Sequence, residues 1–523
     1  MRPFSWLRLL ALATVVALGG CAALPSQVAR SESHAIADVA GTTLARVAAA
    51  SVPPGAAGLS GFRLLPDGDD ALEARLTLIR NAEKSVDVQY YLIANDGTGR
   101  QFLAALLDAA ARGVRVRVLV DDLYTARADA LFAALSEQPG FEVRLFNPLP
   151  ARNGGFAARV ALSAHEFARI NHRMHNKLLI ADGSFAITGG RNIADEYFDR
   201  DDAANFIDMD LLSSGPVVAS LAAQFDEFWN SRYAYPAPSL LRDDAPGKAT
   251  RAASALTALR AGAAFDPEGQ AGPDERSLAA DLARGRVEQR YAPARVVADS
   301  PARIDDKDPS HGDGPVMRAH LDLLGSATSS VMIATPYFLP GAGGLATLRE
   351  ARARGVRFSV LTNSLATTDE PLVHFGYARY RLGMLKLGVA LHELIPMREA
   401  PASSDAQGDD HHGASLGRLH AKLVVVDERW ISIGSMNMDR RSARSNTESA
   451  ILIDDPVLAA QASAFFERGR TSGSYALRLG NRGRRVEWVD RDGTEVLRSE
   501  PQPFGGPGLK PRLASFFISE ELL

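Results

Sequence analysis

Hydrophobic and polar positions alternate along the chain in a way that predicts helices and strands in turn. After about residue 58, an amphipathic helical pattern covers Ala71–Asn81 and a strand-like apolar run covers Ser85–Ile93. A second helical pattern over Gln101–Arg112 and a second strand over Val114–Val120 follow. This order is typical of an α/β fold with parallel strands.

The same order of elements recurs in the second half of the chain. Ser85–Val88 is matched by Ser330–Ile333, and Ala110–Leu119, with its glycine stop, is matched by Ala353–Leu361. The offsets of these two matches are 245 and 242 residues. We therefore expect an α/β fold made of two tandem repeats, each a mixed, mostly parallel sheet flanked by helices, which face each other across one cleft.

Changes in composition divide the chain into six expected segments. They are a signal segment over 1–20, a tether over 21–57, a first repeat over 58–235, an insertion over 236–313, a second repeat over 314–475, and a C-terminal hairpin with an apolar tail over 476–523. The Asp492-Gly493 pair predicts the hairpin turn. A surface loop is expected over 399–417, where His411 and His412 lack partners at ligand spacing, so we expect no metal site there.

The N-terminus has the pattern of an export signal. Arg2 and Arg8 precede the apolar run Leu9–Leu18, which is shorter than the roughly 20 residues of a membrane span. Cleavage is therefore expected rather than a spanning anchor. Leu18-Gly19-Gly20-Cys21 resembles the lipobox of bacterial lipoproteins, which implies that Cys21 is lipidated and holds the protein on a membrane. Ala22, in place of an aspartate, favours the outer membrane, with the protein facing the periplasm.

Composition limits the possible partners. The chain is 46% hydrophobic and carries a net charge of −4, so it can bury a large core but lacks the positive field of a general nucleic-acid binder. No nucleic-acid partner is expected. Any anionic ligand must be bound by local positive charge.

Each repeat contains a His-x-Lys pair followed by a turn and an asparagine. The first copy has His175 and Lys177, and the second has His420 and Lys422. Side chains two residues apart on a strand share a face, so each pair would present an imidazole and an ammonium together. The interval from the histidine to the asparagine, Asn192 or Asn437, is 17 residues in both copies. Two such sets would suit a phosphodiester, because the cations and amides can balance charge on its oxygens.

These residues resemble the HxKxxxxD signature of the phospholipase D superfamily. The resemblance extends from about Gly61 to the C-terminus, and four further segments are most similar to the bacterial cardiolipin synthase branch. Those segments are Arg173–Lys177, Gly189–Ile193, Asp195–Phe198 and Phe228–Ser231.

The resemblance implies a role for each site residue. One histidine would attack phosphorus and the other would act as acid and base; family precedent favours His175 as the nucleophile and His420 as the acid-base group, and the reverse stays open. The other expected assignments are phosphate binding by Lys177, Lys422, Asn192 and Asn437, structural support by Asp182 and Asp427, and orientation of the imidazoles by Asp208 and Glu448. Arg191, Ser435, Arg441 and Glu196 are candidates to line the site, and His172 is predicted to lie beside it.

The expected reaction is the transfer of a phosphatidyl group between phospholipids, as in cardiolipin synthesis, without a metal or organic cofactor. Phosphatidylglycerol, phosphatidylethanolamine and cardiolipin are the expected substrates. Phospholipid hydrolysis is the main competing reaction, because water can discharge the same intermediate. A nuclease and an inactive lipid-binding scaffold are less favoured, since the acidic net charge opposes the first and the intact motifs oppose the second.

Overall fold

The computed structural model describes residues 23–241, 248–262, 277–306, 312–396, 416–490 and 492–502. The signal segment, Cys21, His411, His412 and the apolar tail from Lys510 to Leu523 lie outside the described residues. Within those ranges, no helix combines the length and apolar character that crossing a bilayer requires.

Twenty-one strands of the described chain form two large sheets and one small one. In chain order they are β1 (Ser60–Leu65), β2 (Ser85–Tyr90), β3 (Arg115–Asp121), β4 (Phe141–Phe146), β5 (Leu178–Ala181), β6 (Phe185–Gly189), β7 (Ala204–Ile207), β8 (Asp210–Ser214), β9 (Ala234–Pro236), β10 (Arg290–Ala292), β11 (Ala294–Ala298), β12 (Ser330–Ala334), β13 (Arg357–Asn363), β14 (Ala390–Leu394), β15 (Leu416–Leu419), β16 (Leu423–Val426), β17 (Trp430–Gly434), β18 (Ser449–Asp454), β19 (Ser474–Gly480), β20 (Arg485–Val489) and β21 (Val496–Leu497).

Helices cover the outer faces of the sheets and fill the space between them. The described α-helices are α1 (Thr43–Ser51), α2 (Gly68–Asn81), α3 (Gly97–Ala111), α4 (Asp129–Leu135), α5 (Phe156–Leu162), α6 (Phe167–Ile170), α7 (Pro216–Trp229), α8 (Ala237–Leu240), α9 (Lys248–Gly262), α10 (Leu278–Ala283), α11 (Pro315–Gly325), α12 (Gly341–Ala353), α13 (Pro371–Lys386), α14 (Arg440–Arg444) and α15 (Pro456–Ser472). Short 3₁₀ turns cover Asp122–Arg127, Ala164–Glu166, Asp195–Tyr197, Pro301–Asp305 and Asn481–Gly483. Glycines with positive φ, Gly113 and Gly355, follow α3 and α12 at the predicted stops.

The two large sheets share one strand order, which confirms the two α/β repeats. The first runs β10-β1-β8-β6-β5-β2-β3-β4-β9, and the second runs β11-β18-β17-β16-β12-β13-β14-β19-β20-β21. Counted across each sheet, the seven strands from β1 to β4 therefore occupy the same positions as the seven strands from β11 to β14. The repeat seen in the sequence is a repeat of topology.

The expectation that each sheet is mostly parallel was wrong. Parallel pairing is confined to β2-β3-β4 in the first large sheet and β12-β13-β14 in the second, and the other described pairs within these two sheets are antiparallel. The physical reason lies in the loops. Tight turns at Asp182-Gly183 and Asp427-Glu428 join β5 to β6 and β16 to β17, and strands joined by so short a turn must run antiparallel.

One hydrophobic cluster belongs to both repeats. It includes Leu178 and Ile180 of β5, Leu423 and Val425 of β16, and apolar residues of α7 and α15, all nearly inaccessible to solvent. The two sheets therefore pack face to face with these helices between them. A small parallel sheet of β7 and β15 also crosses between the repeats.

Part of the expected tether packs on the first repeat. Leu44 and Val47 of α1 are buried in the core of that repeat. The guanidinium groups of Arg117 and Arg144 donate to the backbone carbonyls of Ser33 and Ser31, at 2.8 and 2.5 Å. Sequence composition missed this docking because its partners are buried arginines 84 and 113 residues away. These residues behave as part of the domain rather than as a linker.

The expected insertion and the C-terminal hairpin also contribute to the sheets. β10 and β11, from the insertion, pair with β1 and β18, so one short stretch adds an edge strand to each sheet. β20 and β21 form the predicted hairpin around Asp492-Gly493. The hairpin continues the second sheet because β19 pairs with β14 on one side and β20 on the other.

Candidate active site

The first His-x-Lys pair lies immediately before β5 and is held by backbone from the opposite repeat. The His175 amide donates to the Thr447 carbonyl, and the Thr447 amide donates to the Arg173 carbonyl, both at 2.9 Å. Asp121, at the end of β3, pairs with Arg173 at 2.6 Å and accepts the Met174 amide at 2.9 Å. Two repeats are thus needed to position one histidine.

The second pair is held in the equivalent way. The His420 amide donates to the Ile207 carbonyl at 2.8 Å, at the end of the pairing between β7 and β15. Asn363, at the end of β13, brackets Leu419 with two hydrogen bonds of 2.8 Å, one donated and one accepted. Asn363 therefore takes the place that Asp121 occupies in the first repeat.

Each imidazole is paired with a carboxylate from the other repeat. His175 Nδ1 lies 3.0 Å from a Glu448 carboxylate oxygen, and His420 Nδ1 lies 2.7 Å from an Asp208 carboxylate oxygen. All four side chains are buried. The pairing fixes each ring and leaves Nε2, the other ring nitrogen, for chemistry. The predicted carboxylates are thus brought to the predicted histidines, but across the two repeats.

Burial determines the charge of these pairs. It lowers the pKa of His175 to about 4 against the opposing charge of Glu448, and Lys177 adds to the shift. Burial also lowers the pKa of His420, with Lys422 acting in the same direction. For Asp208, burial alone would raise the pKa, but His420 and Lys422 outweigh it and lower the pKa to about 2. Near pH 7, the resting site therefore holds neutral imidazoles beside ionised carboxylates.

Each lysine hydrogen-bonds to the histidine of its own motif, and burial brings the pKa of each ammonium close to neutral pH. Lys177 Nζ donates to the His175 carbonyl at 2.6 Å, and Lys422 Nζ donates to the His420 carbonyl at 2.5 Å. Burial lowers the pKa of Lys177 to about 7 and that of Lys422 to about 8, although Glu448 and Asp208 oppose these shifts. A bound phosphate anion would favour the charged ammonium of each lysine.

The two asparagines are buried next to the motifs. Asn192 Nδ2 donates to the Tyr197 hydroxyl at 2.9 Å. The side-chain oxygens of Asn192 and Asn437 are buried without a hydrogen-bond partner among the described residues. Each unpartnered oxygen can accept a hydrogen bond from a ligand hydroxyl, whereas a phosphate oxygen would accept from the Nδ2 group of the same side chain.

The motif aspartates anchor the turns rather than face the site. Asp182 accepts the backbone amides of Glu83, Lys84 and Ser85 at 2.8–3.0 Å, which ties the turn after β5 to the start of β2. Asp427 accepts the amides of Thr328, Ser329 and Ser330 in the same way, at 2.8–2.9 Å. Both aspartates have positive φ, 47° and 53°, a conformation that Asp tolerates better than most residues.

A family profile described as "Cardiolipin synthase, PLD-like domain" matches residues 76–229 and 320–469, which is more than half of the chain. The chain belongs to this family. It is accordingly an enzyme of the phospholipase D superfamily.

Relatives match over most of their length. Cardiolipin synthase C of Escherichia coli K12 is 36% identical over 468 residues, which cover 89% of this chain and 97% of the relative. A cardiolipin synthase A of Pseudomonas fluorescens is 27% identical over 77% of this chain and 67% of the relative. The crystal structure of phosphatidylserine synthase from Haemophilus influenzae aligns with a TM-score of 0.55 and 14% identity, covering 88% of this chain and 94% of that one. The last match shows the shared fold.

The remaining predicted residues support or bridge the site. Arg191 is buried and donates to the carbonyls of Leu65 and Pro66. The Ser435 hydroxyl donates to Glu448 at 2.5 Å, and Arg441 donates to Asn171 of the other repeat at 3.0 Å. His172 Nδ1 lies 2.9 Å from the Ser445 carbonyl oxygen. Glu196 is half-buried, and burial together with the charge of Asp369 raises the pKa of its carboxyl group.

Aromatic rings around the imidazoles had no assigned role in the sequence analysis. Tyr91 meets the His175 ring edge-on at 5.1 Å, while Tyr197 and Phe206 pack on His420 at 5.1 and 4.8 Å. Tyr197 lies in Asp195–Phe198, one of the segments that resemble the cardiolipin synthase branch, so the resemblance already pointed to it as a site residue. No sequence pattern pointed to Phe206, because the strand that contains it pairs only in the folded chain. These rings exclude water from the imidazoles and explain their lowered pKa values.

Asp299 is a buried carboxylate that the sequence analysis missed. It accepts the Glu448 backbone amide at 3.0 Å, and burial raises its pKa to about 6. It lies just beyond β11, in a segment predicted to be an insertion.

Among the described residues, no group of three or more His, Cys, Asp or Glu side chains is arranged to hold a metal ion.

Proposed function

We propose that this enzyme transfers a phosphatidyl group from one phospholipid to the head-group hydroxyl of another through a phosphohistidine. The observation that carries the proposal is the crossed arrangement of two imidazoles, each paired through Nδ1 to a buried carboxylate of the other repeat. In this proposal, the two Nε2 atoms, which the carboxylate contacts leave free of that pairing, act on one phosphorus from opposite repeats. One can act as nucleophile and the other as acid and base.

In the first step, the lone pair of His175 Nε2 forms a bond to phosphorus. The bond from phosphorus to the head-group oxygen breaks, and that oxygen takes the proton of His420. His420 is neutral in the resting site, but the anionic phosphodiester favours its imidazolium, so it takes up this proton from solvent as the lipid binds. Asp208 stabilises the imidazolium before the proton is transferred. Lys177 and Lys422 balance the charge on the non-bridging oxygens of the phosphate. The Nδ2 groups of Asn192 and Asn437 donate hydrogen bonds to the same oxygens.

In the second step, the acceptor hydroxyl replaces the first head group. His420, now neutral, takes the hydroxyl proton as the acceptor oxygen bonds to phosphorus. The bond from phosphorus to His175 breaks, and its electron pair returns to Nε2. The enzyme is restored, and a phosphodiester with a new head group leaves the site.

Phospholipid substrates and transfer rather than hydrolysis are both part of this proposal. The relatives named cardiolipin synthases support the substrate class. Burial of both imidazoles, which are 8% and 5% exposed, supports transfer, because limited access of water favours a lipid hydroxyl as the acceptor.

Mass spectrometry of lipids tests the reaction. Purified enzyme is incubated with phosphatidylglycerol alone and with phosphatidylglycerol plus phosphatidylethanolamine. We expect cardiolipin to accumulate, with release of the donor head group. Phosphatidic acid as the main product would favour phospholipid hydrolysis, and unchanged lipids with cleavage of single-stranded DNA would favour a nuclease.

We also propose that lipidated Cys21 holds the enzyme on the outer membrane, facing the periplasm. The lipobox-like segment before Cys21 supports this anchor. Metabolic labelling with a fatty acid should mark the wild type but not the Cys21→Ser variant, which should also keep its signal segment. Equal labelling of both proteins would refute the anchor.

A further inference from the structure

Most of the exposed apolar side chains of the described residues lie on segments that are linked to the two histidines by ring packing or by the backbone. Eight large hydrophobic side chains are exposed among the described residues. Five of them form a set that we call the apolar rim: Tyr124, Phe156, Leu162, Phe167 and Ile207. Because scattered exposed apolar residues are normal, this concentration is the informative feature.

A line of aromatic rings connects His175 to the rim. Tyr91 packs on the His175 ring at 5.1 Å, and Tyr124 packs on Tyr91 at 5.5 Å. Phe156 then stacks on Tyr124 at 5.4 Å with an interplanar angle of 15°. Exposure rises along this line from 8% at His175 to 45% at Tyr124 and Phe156. The rings form a continuous apolar path from the imidazole to the protein surface.

The chain after Phe156 extends the rim. α5, the 3₁₀ turn Ala164–Glu166 and α6 follow one another directly, and Leu162 and Phe167 on this stretch are each 54% exposed. The stretch ends shortly before Arg173, which is fixed by Asp121. Leu162 and Phe167 therefore lie on a stretch of chain that leads directly into the first His-x-Lys pair.

Ile207 provides the same feature at the second histidine. Its carbonyl accepts the amides of His420 and Ala421 at 2.8 and 3.1 Å, and its side chain is 39% exposed. Its neighbour Phe206 packs on the His420 ring at 4.8 Å. Both histidines are therefore linked, within one or two contacts, to exposed apolar side chains.

We infer that the apolar rim is the surface by which the enzyme docks on a phospholipid bilayer, so that a lipid can pass along the rim to the histidines without crossing water. The inference rests on the proposed function, because it requires a substrate that resides in a bilayer. Aromatic and aliphatic side chains on short surface helices are suited to insertion at the boundary between head groups and acyl chains.

The charges near the rim support insertion rather than attraction by a positive patch. Arg159 on α5 pairs with Asp129, and Arg169 on α6 pairs with Glu166, both at 2.5 Å. Paired arginines contribute little to long-range attraction of anionic lipid. Docking by this surface should therefore depend on its apolar side chains.

Fluorescence quenching tests the docking directly. Leu162→Trp and Phe167→Trp variants of the full chain are mixed with phosphatidylglycerol–phosphatidylcholine vesicles, with or without bromine on the phosphatidylcholine acyl chains. The matched control is Val457→Trp, at a residue 44% exposed at the start of α15, and the wild-type signal is subtracted. We expect bromine to quench the tryptophans at 162 and 167 but not the one at 457. Equal quenching at all three positions, or none at 162 and 167, would overturn the inference.

Kinetics provide a second test. The double variant Leu162→Asp/Phe167→Asp should lose about tenfold or more in rate on vesicles. It should keep its rate on dihexanoyl-phosphatidylglycerol dissolved as monomers, and Val457→Asp should keep both rates. Equal loss on both substrate forms, or no loss on either, would contradict bilayer docking. A wild type inert on both forms would refute the proposed function instead, while the quenching pattern would still decide the docking.

Discussion

The His175 and His420 halves of the site share one plan but hold their carboxylates differently. Glu448, which pairs with His175, also accepts the Ser435 hydroxyl at 2.5 Å. In the other half, Gly190 takes the place of Ser435, and a Cβ there would lie 2.2 Å from an Asp208 carboxylate oxygen. Asp208 accepts the Met209 amide instead, at 2.7 Å.

This difference shows how a duplicated site can give two roles to two similar histidines. Asp208 lies closer to its imidazole than Glu448 does, at 2.7 against 3.0 Å, and a shorter charge-assisted contact stabilises the imidazolium more. Ser435 donates to the Glu448 oxygen nearest His175, whereas the Met209 amide donates to the Asp208 oxygen that does not pair with His420. Glu448 therefore has the weaker hold on a ring proton. The asymmetry supports His420 as the acid-base group and His175 as the nucleophile.

Removal of either imidazole should have the largest effect. His175→Ala and His420→Ala should each lower the rate of lipid transfer by at least about 10²–10⁴, because each supplies chemistry that no other group in the site replaces. His172→Ala, the matched control, should keep most of the activity because its ring is hydrogen-bonded to the Ser445 carbonyl and has no role in the proposed chemistry. Initial rates by lipid mass spectrometry are the measurement. Activity near the wild-type level in either of the first two variants would break the two-histidine site.

The order of roles can be tested by trapping the intermediate. In His420→Ala, a donor with a good leaving group should still phosphorylate His175, but the base that activates the acceptor is missing. Acid-labile phosphate should therefore accumulate on the peptide that contains His175, as detected by mass spectrometry under alkaline conditions. If the adduct instead forms on His420 in the His175→Ala variant, His420 is the nucleophile and the assignment of the two roles is reversed.

The histidines and lysines together should give a bell-shaped pH profile. As pH rises through about 4, His175 loses its proton and kcat/KM should increase. As pH rises further, His420, whose pKa is lowered by burial, loses the proton that it donates, and Lys177 and Lys422 lose their charges near pH 7 and 8, so kcat/KM should fall. Each titrating group should contribute up to about a tenfold change per pH unit. Lys177→Arg should make the alkaline limb less steep because a guanidinium stays charged. An unchanged alkaline limb in that variant would show that Lys177 does not contribute to it.

The smallest effect should come from the residue that distinguishes the two halves. Ser435→Gly gives the second repeat the glycine of the first and removes one hydrogen bond from Glu448. A lost bond to a buried charged group corresponds to roughly a tenfold lower rate. The acid limb of the pH profile should move upward, since Glu448 then holds a proton on His175 more strongly. A lower rate with an unmoved acid limb would assign Ser435 a packing role only.

Local pattern was sufficient to predict several parts of the molecule. The matched helix, glycine and strand around Gly113 and Gly355 predicted the repeated unit, since those contacts lie within a few residues. The turn at Asp182-Gly183 was visible because Asp-Gly favours left-handed backbone, whereas the turn at Asp427-Glu428 was indicated by its place in the repeat. The His-x-Lys pairs were recognisable because chemistry limits what can replace them. None of these features depends on how the two repeats are packed together.

Tertiary structure decided which residues complete the site. The partners of His175 and His420 lie 273 and 212 residues away, and each imidazole is paired across the repeat interface rather than within its own repeat. The pairing of β7 with β15 and the docking of the chain near Ser33 on Arg117 are of the same kind. Sequence by itself determined the chemical groups and the repeated topology, because these follow from short-range pattern. The crossed pairs arise only when two similar sheets bury a common apolar face, since that packing sets which carboxylate comes within hydrogen-bonding distance of which ring.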